Sequence, residues 1–462
     1  METLTEASYW VPKTLPGVKP VYLEIADAIA DDVRTGALRA TDRLPPQRIL
    51  ASHLNLNFAT IARAYSEARN RGLIDSRVGD GTFIRPSHSA SSPVQIDMTM
   101  NLPPQPEDAA IMERIREGMT DLAMQSNLND LLQYQEFGGS LSDREAGAGW
   151  LSEWLPDVSP EELLICPGAQ SGLTGLMSAL ARPGNVICCE DITYSGTKAI
   201  ATQLGIRLHG LPTDDEGIDP DAFAAVCREA PPKALYCNPT LLNPTTAILS
   251  MERRHAIVAI ARKYNVPIIE DDAYGMLPVN PPTQLCALAP ELTFYLSGFA
   301  KCVGAGLRIA YLRLPSKRHA RRMSTVFRAT TVMASPLMVS LATRLIHNGA
   351  AAMSRDAIRR ESIARQALAK SILPAGSYIS KPEAFHLWLQ MPESWSRASF
   401  AAQVQSYGVV VVVSDAFTVS GPPPEAVRVC LGGVSSQNDM QQAMEILADT
   451  LEQAPTIAFH GL

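Results

Sequence analysis

The chain lacks the features that would place it in a membrane, outside the cell or among metal-held scaffolds. Its 462 residues contain no apolar run of about 18 residues, so no transmembrane helix is expected. The N-terminus, Met1 to Trp10, carries Glu2 and Glu6 and has no basic-then-apolar secretion signal. The eight cysteines form no Cys-x-x-Cys pair and no metal-ligand grouping with histidine. We therefore expect a cytoplasmic protein with reduced cysteines and with no membrane or metal partner.

Charged residues are few, at 19%, whereas hydrophobic residues reach 46%, a balance that excludes disordered and collagen-like chains. The length predicts about two to four domains. The net charge of −7 is uneven, because residues 1–85 hold 11 basic and 10 acidic side chains, and residues 43–85 hold 7 basic and 3 acidic. A locally basic block on an acidic protein is a weak indication of nucleic-acid binding, and a solvated surface is the alternative.

Residues 20–85 have the pattern of three helices. Apolar residues at helical spacing from Val21 predict a first helix, which the Thr35-Gly36 pair ends. A second, short helix is predicted from Gln47 to His53. Asn57 is a good N-cap for a third helix, which the apolar spacing extends to about residue 71.

A hairpin is predicted to follow the third helix. The turn Gly79-Asp80-Gly81 separates Leu73-Ile74 from Thr82-Phe83-Ile84, so two short strands form a wing. Three helices and a wing make a winged helix-turn-helix domain, placed at residues 15–85. Residues 86–105 are rich in Ser and Pro and poor in bulky side chains, which predicts a linker.

From residue 106 to residue 462, short apolar runs alternate with amphipathic helical stretches. The alternation predicts an α/β fold with a mostly parallel sheet, whose strands include Leu163–Cys166, Val186–Cys189, Ala234–Cys237, Pro267–Glu270 and Thr293–Leu296. From about residue 320 the helices are long and Arg-rich, and a strand-rich part follows. This last part is predicted to form a smaller lobe.

Polar residues that could carry chemistry follow several of these strands. Lys301 comes directly after an apolar strand, and Arg308 follows seven residues later. A lysine near cationic and apolar groups has a lowered pKa and can form a Schiff base with an aldehyde, although a surface lysine is the simpler interpretation of Lys301 alone. Asp271 could pair with a protonated pyridine nitrogen, and Tyr274 could reach the neighbouring phenolic oxygen. A capped helix start with acidic residues in its first turn is the alternative.

Two further groups are weak signals when taken singly. Asn243 is fixed by Pro244 and could donate to a ring oxygen, although Asn-Pro turns are common. Ala169 and Gln170 follow Gly168 at the start of a helix, where free N–H groups suit a phosphate.

The order and spacing of these groups resemble those of fold-type-I pyridoxal-phosphate aminotransferases. Such enzymes have, in order, a Gly-Ala-Gln phosphate cup, an Asn-Pro, an Asp-x-x-Tyr, a lysine and an arginine seven residues later. The N-terminal block resembles the GntR regulators through Asp42-Arg43-Leu44-Pro45-Pro46-Gln47-Arg48, Thr60-Ile61-Ala62-Arg63-Ala64-Tyr65 and Gly79-Asp80-Gly81-Thr82-Phe83. Over about residues 15–440 the combination resembles the MocR-type regulators, in which a GntR reader is fused to an aminotransferase-like domain.

The resemblance implies pyridoxal 5′-phosphate as the cofactor, attached to Lys301 as an internal aldimine. It implies that Asp271 pairs with the pyridine nitrogen and that Tyr274 and Asn243 donate to the ring 3-hydroxyl. The other implied cofactor contacts are ring stacking by Tyr194, phosphate contacts by Ala169, Gln170 and Arg308, and a reach by Tyr134 to the phosphate of a neighbouring subunit. Arg428 resembles the clamp on a substrate α-carboxylate, and a surface arginine at a strand edge is the alternative.

The resemblance also implies DNA contacts in the reader. Arg48 is expected to contact a phosphate or a base, and Thr60 and Arg63 lie on the recognition helix. Thr82 and the turn from Gly79 to Gly81 are expected to approach the DNA backbone or the minor groove.

Four positions depart from the family patterns. Gly298 and Ala300 stand where the phosphate cup usually has serines, and Ser297 is the displaced hydroxyl that could compensate. Thr246 stands where a glycine commonly follows Asn-Pro-Thr. Phe58 stands where the recognition helix often has an arginine.

Three functions are compatible with these residues. The first is a transcriptional regulator that senses an amino compound by aldimine exchange at Lys301. The second is an active aminotransferase with an appended DNA-binding domain, and the third is an architectural DNA-binding protein whose large domain only dimerises. The set of Lys301, Asp271, Asn243 and Tyr194 argues against the third function, and the reader argues against the second. We therefore expect a regulator with operator DNA and an amino compound as partners, acting as a domain-crossed homodimer.

Overall fold

The computed structural model describes residues 10–12, 20–34, 37–38, 42–70, 73–77, 81–84, 95–105, 107–125 and 128–453. The chain folds as two compact units, Met1–Val94 and Gln95–Leu462.

The first unit contains three helices and a three-stranded antiparallel sheet. In chain order its elements are α1 (Val21–Arg34), β1 (Arg43–Leu44), α2 (Gln47–His53), α3 (Phe58–Asn70), β2 (Ile74–Arg77) and β3 (Gly81–Ile84). The sheet order is β1-β3-β2. The predicted winged helix-turn-helix is confirmed, and β1 is a strand that the sequence analysis did not identify.

The helices of the first unit pack on an apolar core formed by Ile25, Ile29, Leu50 and Ile61. The buried Tyr65 hydroxyl donates to the Pro45 carbonyl at 2.7 Å, which connects α3 to the residues before α2. Asn57 caps α3 as predicted, since its Oδ1 accepts a hydrogen bond from the Ala59 N–H at 2.9 Å.

The second unit holds the remaining elements. Its helices are α4 (Ala109–Met124), α5 (Leu141–Leu151), α6 (Ala169–Leu180), α7 (Ser195–Gln203), α8 (Pro220–Glu229), α9 (Met251–Tyr264), α10 (Leu285–Leu288), α11 (Lys317–Thr330), α12 (Pro336–His347), α13 (Ala350–Ile372), α14 (Arg397–Ser406) and α15 (Gln437–Glu452). Its strands are β4 (Ile96–Asp97), β5 (Leu163–Cys166), β6 (Val186–Glu190), β7 (Arg207–Leu211), β8 (Thr213–Asp214), β9 (Gly217–Ile218), β10 (Leu235–Cys237), β11 (Ile268–Asp271), β12 (Thr293–Gly298), β13 (Ala310–Arg313), β14 (Tyr378–Ile379), β15 (His386–Gln390), β16 (Val409–Val410), β17 (Val412–Val413) and β18 (Ala426–Cys430).

A seven-stranded sheet in the order β5-β13-β12-β11-β10-β6-β7 forms the centre of the second unit. Its pairs are parallel except where β13 runs antiparallel to β12 and β5. The five predicted strands are confirmed, and β7 and β13 are additional. Because six strands run in one direction, their carboxyl ends meet at one edge, which is where open α/β sheets bind ligands.

The smaller lobe begins later than residue 320. The buried faces of α11 and α12 pack on the central sheet, through Phe327 and Leu345 among others, so these two helices belong to the large lobe. After residue 320, the first buried residue of the separate small-lobe core is Ala369, near the end of α13, and this core surrounds a four-stranded sheet in the order β14-β15-β18-β17.

The predicted linker ends earlier than residue 105. Ile96 and Asp97 form β4, which pairs in parallel with β16 of the small lobe. Ile96 and Met98 are buried in the small-lobe core, because these two apolar residues, two positions apart, lie on the same face of an extended segment. Residues 95–105 are therefore part of the second unit rather than of the linker.

All eight cysteines lie in the described part of the chain, where they are buried and form no disulfide. Among the described residues, no helix combines the length and the apolar character needed to cross a bilayer.

Two glycines of α5 give a matched test of the packing between this helix and the sheet. A Cβ at Gly147 would lie 2.4 Å from a Tyr311 ring carbon, whereas a Cβ at the exposed Gly149 would meet nothing within 4 Å. We expect Gly147→Ala to destabilise the protein by about 1–3 kcal/mol through overpacking. Gly149→Ala should stabilise it by about 0.5–1 kcal/mol, because alanine loses less conformational entropy in a helix. Denaturation followed by tryptophan fluorescence measures both changes, and equal effects would contradict the packing.

Candidate functional site

One cavity at the carboxyl edge of the central sheet brings together most of the predicted site residues. It has a volume of about 370 Å³. The predicted residues that line it are Ala169, Gln170, Tyr194, Asn243, Asp271, Tyr274, Lys301, Arg308 and Arg428. Tyr134 does not line it and is 81% exposed, so a contact between Tyr134 and a neighbouring subunit stays a prediction.

The sheet explains why residues that are distant in sequence meet in this cavity. Asp271 is the last residue of β11, and Lys301 ends the short 3₁₀ turn that follows β12. Ala169 begins α6 after β5, and Tyr194 precedes α7 after β6. Each side chain therefore extends from the carboxyl end of a buried strand.

Lys301 is held in a dry and cationic environment. Its Nζ donates to the main-chain carbonyl of Asn101 and lies 5.9 Å from the centre of the Tyr274 ring. Burial lowers the pKa of Lys301 to about 8, and the nearby Arg428 and Arg308 guanidinium groups act in the same direction. The amine is consequently neutral, and nucleophilic, in a larger fraction of molecules than an exposed lysine would be.

Asp271 has one satisfied and one free carboxylate oxygen. The Tyr236 hydroxyl donates to Oδ2 at 3.0 Å, whereas the buried Oδ1 has no hydrogen-bond partner among the described residues. Burial raises the pKa of Asp271 to about 6, and Asp272 acts in the same direction, while Tyr236 and Lys301 oppose the rise. The free oxygen is an acceptor in need of a donor.

An anion cup lies at the start of α6. Gly168 precedes the helix at φ 85°, and a Cβ there would lie 2.7 Å from the Arg308 guanidinium, so both the backbone and the close approach favour glycine. The first N–H groups of α6 and the Arg308 cation thus face the same region. Gln170 accepts a hydrogen bond from the Tyr194 hydroxyl at 3.1 Å, which fixes the Tyr194 ring over the cavity wall.

Ser297 does not supply a hydroxyl group to the anion cup. This serine is buried, its Oγ donates to the Asp272 carbonyl at 3.3 Å, and it does not line the cavity. Ser195, the first residue of α7, lines the cavity instead. Sequence reasoning missed Ser195, although its place directly after Tyr194 at a helix start could have indicated it.

Arg428 lies inside the cavity rather than at an exposed strand edge, so its surface interpretation is wrong. It is buried in β18, where its Nη1 donates to Asn243 Oδ1 at 2.8 Å and its Nη2 donates to the Thr99 carbonyl. The Arg428 Nε has no hydrogen-bond partner among the described residues. An arginine with a free N–H facing a buried site can bind a carboxylate.

Sequence reasoning missed two parts of the cavity wall. Asn238 donates from Nδ2 to the Asp271 carbonyl at 2.5 Å, and its Oδ1 accepts from the Asn243 N–H at 2.9 Å, so it holds two site residues. The segment from Thr99 to Leu102 lines the cavity but lay in the predicted linker. The alternation of Ile96, Met98, Met100 and Leu102 was the signal for an extended segment.

The residues predicted to contact DNA lie in the first unit. Arg48 is exposed on α2, Arg63 is exposed on α3 with its guanidinium 4.4 Å from the centre of the Tyr22 ring, and Thr60 lies in the first turn of α3. Gly81 and Thr82 begin β3, and Gly79 lies outside the described residues. Arg43, which was not predicted as a contact, packs beside Gly81, since a Cβ there would meet its Nε at 2.8 Å.

Comparison with known families agrees with this division of the chain. The chain belongs to the aminotransferase class I and II family, whose profile matches residues 93–447. The profile of the bacterial regulatory proteins of the gntR family matches residues 21–84. Together the two matches define the MocR type of regulator, a GntR helix-turn-helix domain fused to an aminotransferase-like domain.

Two curated relatives match along almost their whole length. The uncharacterized HTH-type transcriptional regulator YdeF of Bacillus subtilis is 27% identical over 454 residues, which cover 96% of this chain and 97% of that protein. The vitamin B6 salvage pathway transcriptional repressor PtsJ of Salmonella typhimurium is 27% identical, and the match covers 93% of this chain and 97% of that protein.

Solved structures of enzymes share the fold of the second unit. A kynurenine aminotransferase of Pyrococcus horikoshii superposes with a TM-score of 0.71 at 21% identity, covering 78% of this chain and 91% of that chain. The α-aminoadipate aminotransferase LysN of Thermus thermophilus superposes with a TM-score of 0.70 at 20% identity, covering 84% of this chain and 98% of that chain.

The fold implies pyridoxal phosphate, and the residues of the cavity fit that cofactor. The free Asp271 Oδ1 offers an acceptor for a protonated ring nitrogen, and the α6 start with Arg308 offers a site for a phosphate. The lowered pKa of Lys301 suits attack on an aldehyde.

The pH dependence of cofactor attachment tests the environment of Lys301. Because the pKa of Lys301 is lowered to about 8, the attachment rate should rise through about pH 8 and level off below pH 10. The measurement is the growth of visible absorbance after mixing the protein with pyridoxal phosphate. Lys301→Arg, which keeps a cation but cannot attach the aldehyde, is the matched control. A rate that rises only near the ordinary lysine pKa of about 10.4 would contradict the prediction.

Proposed function

We propose that this protein is a transcriptional regulator that binds operator DNA through residues 20–84 and responds to an amino compound bound in the Lys301 cavity. The observation that carries the proposal is the presence, in one chain, of a winged helix-turn-helix and of a cavity lined by a buried carboxylate with one free oxygen and by a lysine of lowered pKa. The full-length similarity to HTH-type regulators, one of them a repressor of vitamin B6 salvage, supports regulation as the role.

The first unit supplies surfaces that suit DNA. Thr60 lies in the first turn of α3, where a recognition helix brings side chains to base edges. Arg48 on α2 and Arg43 beside the wing offer cations for phosphates, and Thr82 on β3 lies next to the same wing. Arg63 stacks on Tyr22, which holds its guanidinium in one orientation on the exposed side of α3.

The cavity residues have distinct roles in holding the cofactor. Asp271 Oδ1 would accept a hydrogen bond from the ring N–H, Tyr274 and Asn243 would contact the ring hydroxyl, and Tyr194 would stack on the ring. Ala169, Gln170 and Arg308 would bind the phosphate. When bound, pyridoxal phosphate supplies an aldehyde carbon on which a free primary amine can replace the Lys301 amine.

Arg428 determines which chemical group the effector carries besides its amine. Its guanidinium is buried, and its Nε–H has no partner among the described residues, so a carboxylate can bind Nε and, once Nη2 leaves the Thr99 carbonyl, Nη2 as well, with two parallel hydrogen bonds. We therefore propose an amine that also carries a carboxylate as the effector. A domain-crossed homodimer, in which Tyr134 reaches the phosphate of the partner subunit, is the proposed assembly.

An active aminotransferase is the second candidate function. It is favoured by one observation, the presence in the same cavity of a buried Asp271 and a lysine whose pKa of about 8 suits it to accept and return a proton. If the protein were only an aminotransferase, the winged helix-turn-helix of the first unit would have no role. Turnover of a keto acid separates the two candidates.

Replacement of Arg48 tests the DNA-binding surface. We expect Arg48→Ala to weaken binding to a selected DNA fragment by about 1–3 kcal/mol, which is about tenfold or more, because one cationic contact is lost. The dependence of the binding constant on salt should also become less steep by about one counterion. Titration by fluorescence anisotropy at several salt concentrations measures both. Arg262→Ala, in the second unit, is the control, and a loss of the same size there would contradict the assignment.

The effector response tests the proposal as a whole. An amino acid that perturbs the visible spectrum should change the operator affinity of the wild type by about 5- to 150-fold. Lys301→Ala should bind the operator but show no response, since it cannot attach the cofactor. Unchanged affinity together with rapid keto-acid turnover would establish the aminotransferase instead.

A further inference from the structure

The segment Met98–Leu102, named here the strap, begins in the small lobe and crosses the cavity. The Met98 N–H donates to the Val410 carbonyl at 2.9 Å, and the Cys430 N–H donates to the Met98 carbonyl at 3.0 Å. Just before it, Ile96 and Asp97 form β4 beside β16. The strap is thus the first part of the second unit to reach the cavity, and its start is fixed to the small-lobe strands.

The strap is hydrogen-bonded to two of the three cationic side chains that line the cavity, Lys301 and Arg428. The main-chain carbonyl of Asn101 accepts from Lys301 Nζ, and the main-chain carbonyl of Thr99 accepts from Arg428 Nη2. The Asn101 side chain also donates from Nδ2 to the Tyr274 hydroxyl at 2.9 Å. The two groups that the proposed function assigns to the cofactor and to the effector carboxylate are therefore the same two that hold the strap.

Two glycines, Gly432 and Gly433, lie beside the strap. A Cβ at Gly432 would lie 1.9 Å from the Leu102 carbonyl oxygen and 2.9 Å from the Pro104 nitrogen. A Cβ at Gly433 would lie no closer than 3.5 Å from any atom of the strap. The backbone around Gly432 cannot yield easily, because Arg365 Nη1 donates to the Val434 carbonyl at 2.9 Å and to the Leu431 carbonyl. Only glycine at position 432 leaves room for the strap.

We infer that the strap is the effector-responsive element of this protein, and that a ligand carboxylate releases it by taking Arg428 from the Thr99 carbonyl. The inference rests on the proposed function, since it names the regulation of the same site. A guanidinium binds a carboxylate with two parallel N–H groups, and Nε with Nη2 forms such a pair. The Nε of Arg428 has no partner among the described residues, its Nη1 donates to Asn243, and its Nη2 donates to the Thr99 carbonyl of the strap.

The Lys301 bond of the strap does not depend on the carboxylate. When a free amine replaces the Lys301 amine on the cofactor, Nζ is free again and can donate to the Asn101 carbonyl. The response of the strap therefore depends on the Thr99 carbonyl, which loses Arg428 Nη2 to the carboxylate and needs a new partner, because a buried carbonyl without one is unfavourable. The Thr99 part of the strap then moves toward water and pulls on β4, through which the chain leads back toward the first unit. An amine without a carboxylate leaves the Thr99–Arg428 bond in place and does not release the strap.

The matched pair Gly432→Ala and Gly433→Ala tests this inference without any ligand. In the full-length protein, Gly432→Ala should expel the strap and raise amide hydrogen exchange at Met98 and Leu102. Its operator affinity should differ from the wild type by about 5- to 150-fold and no longer respond to effector. Gly433→Ala should match the wild type in both measurements. Faster exchange at the strap with unchanged operator affinity and response would overturn the inference.

A second variant covers the case in which Gly432→Ala does not fold. Asn101→Gly keeps the main-chain carbonyl, loses the hydrogen bond to Tyr274 and adds no bulk, so it should loosen the strap and shift operator affinity in the same direction. Strap exchange that rises in Asn101→Gly with no change in operator affinity also overturns the inference.

A set of paired probes tests the role of the carboxylate. The probes are glycine, β-alanine and γ-aminobutyrate, each compared with the amine that remains without its carboxylate, namely methylamine, ethylamine and propylamine. An amino acid that changes the visible spectrum should raise strap exchange and change operator affinity, whereas its amine should change the spectrum alone. An amine that releases the strap as well as its amino acid does overturns the carboxylate competition. If operator affinity responds to none of the probes although the spectrum changes, the proposed function fails, and the glycine pair still decides whether the strap controls DNA binding.

Discussion

The second unit depends on burying three consecutive acidic residues at the end of one strand. Glu270, Asp271 and Asp272 are all buried, and each is held by a different element. Glu270 accepts from the Leu285 and Cys286 N–H groups at 2.9 and 2.7 Å, at the start of α10. Burial raises the pKa of Glu270 to about 7, with Asp272 adding to the rise, and the buried Arg254, 3.6 Å from Glu270, opposes it.

Asp272 is held by different partners from those of Glu270. Its Oδ2 accepts from the Tyr295 hydroxyl at 2.9 Å, and that hydroxyl accepts from the Trp154 indole N–H at 3.1 Å. Asp271 lies between two anchored neighbours, so its carboxylate has little freedom to turn away from the cavity. A buried charge without such support would be strongly unfavourable. The precise placement of one carboxylate thus requires bonds from α10, from β12 and from the end of α5.

The sequence was sufficient for the parts of the site that depend on local signals. Lys301 and Asp271 each directly follow an apolar strand, and parallel strands bring such positions to one edge, so their meeting in a cavity follows from topology. The strap could not be found in this way, because it lies within residues 86–105, whose Ser- and Pro-rich composition as a whole resembles a linker. Its structure depends on pairing with Val409 and Val410, which are remote in sequence. Ser297 was equally ambiguous, since a one-residue shift along a strand moves a side chain to the other face.

Because all eight cysteines are buried, their thiols are protected from oxidants. Burial raises the pKa of all eight thiols, among them Cys430, whose Sγ lies 3.6 Å from the Thr99 carbonyl at the cavity wall. Oxidants attack the thiolate form, and a buried thiol kept protonated offers them neither charge nor access. Oxidative stress in the cell should therefore leave the cysteine thiols unchanged, including that of Cys430 at the cavity wall. A response of this protein to the redox state around it would have to come from groups other than its cysteines.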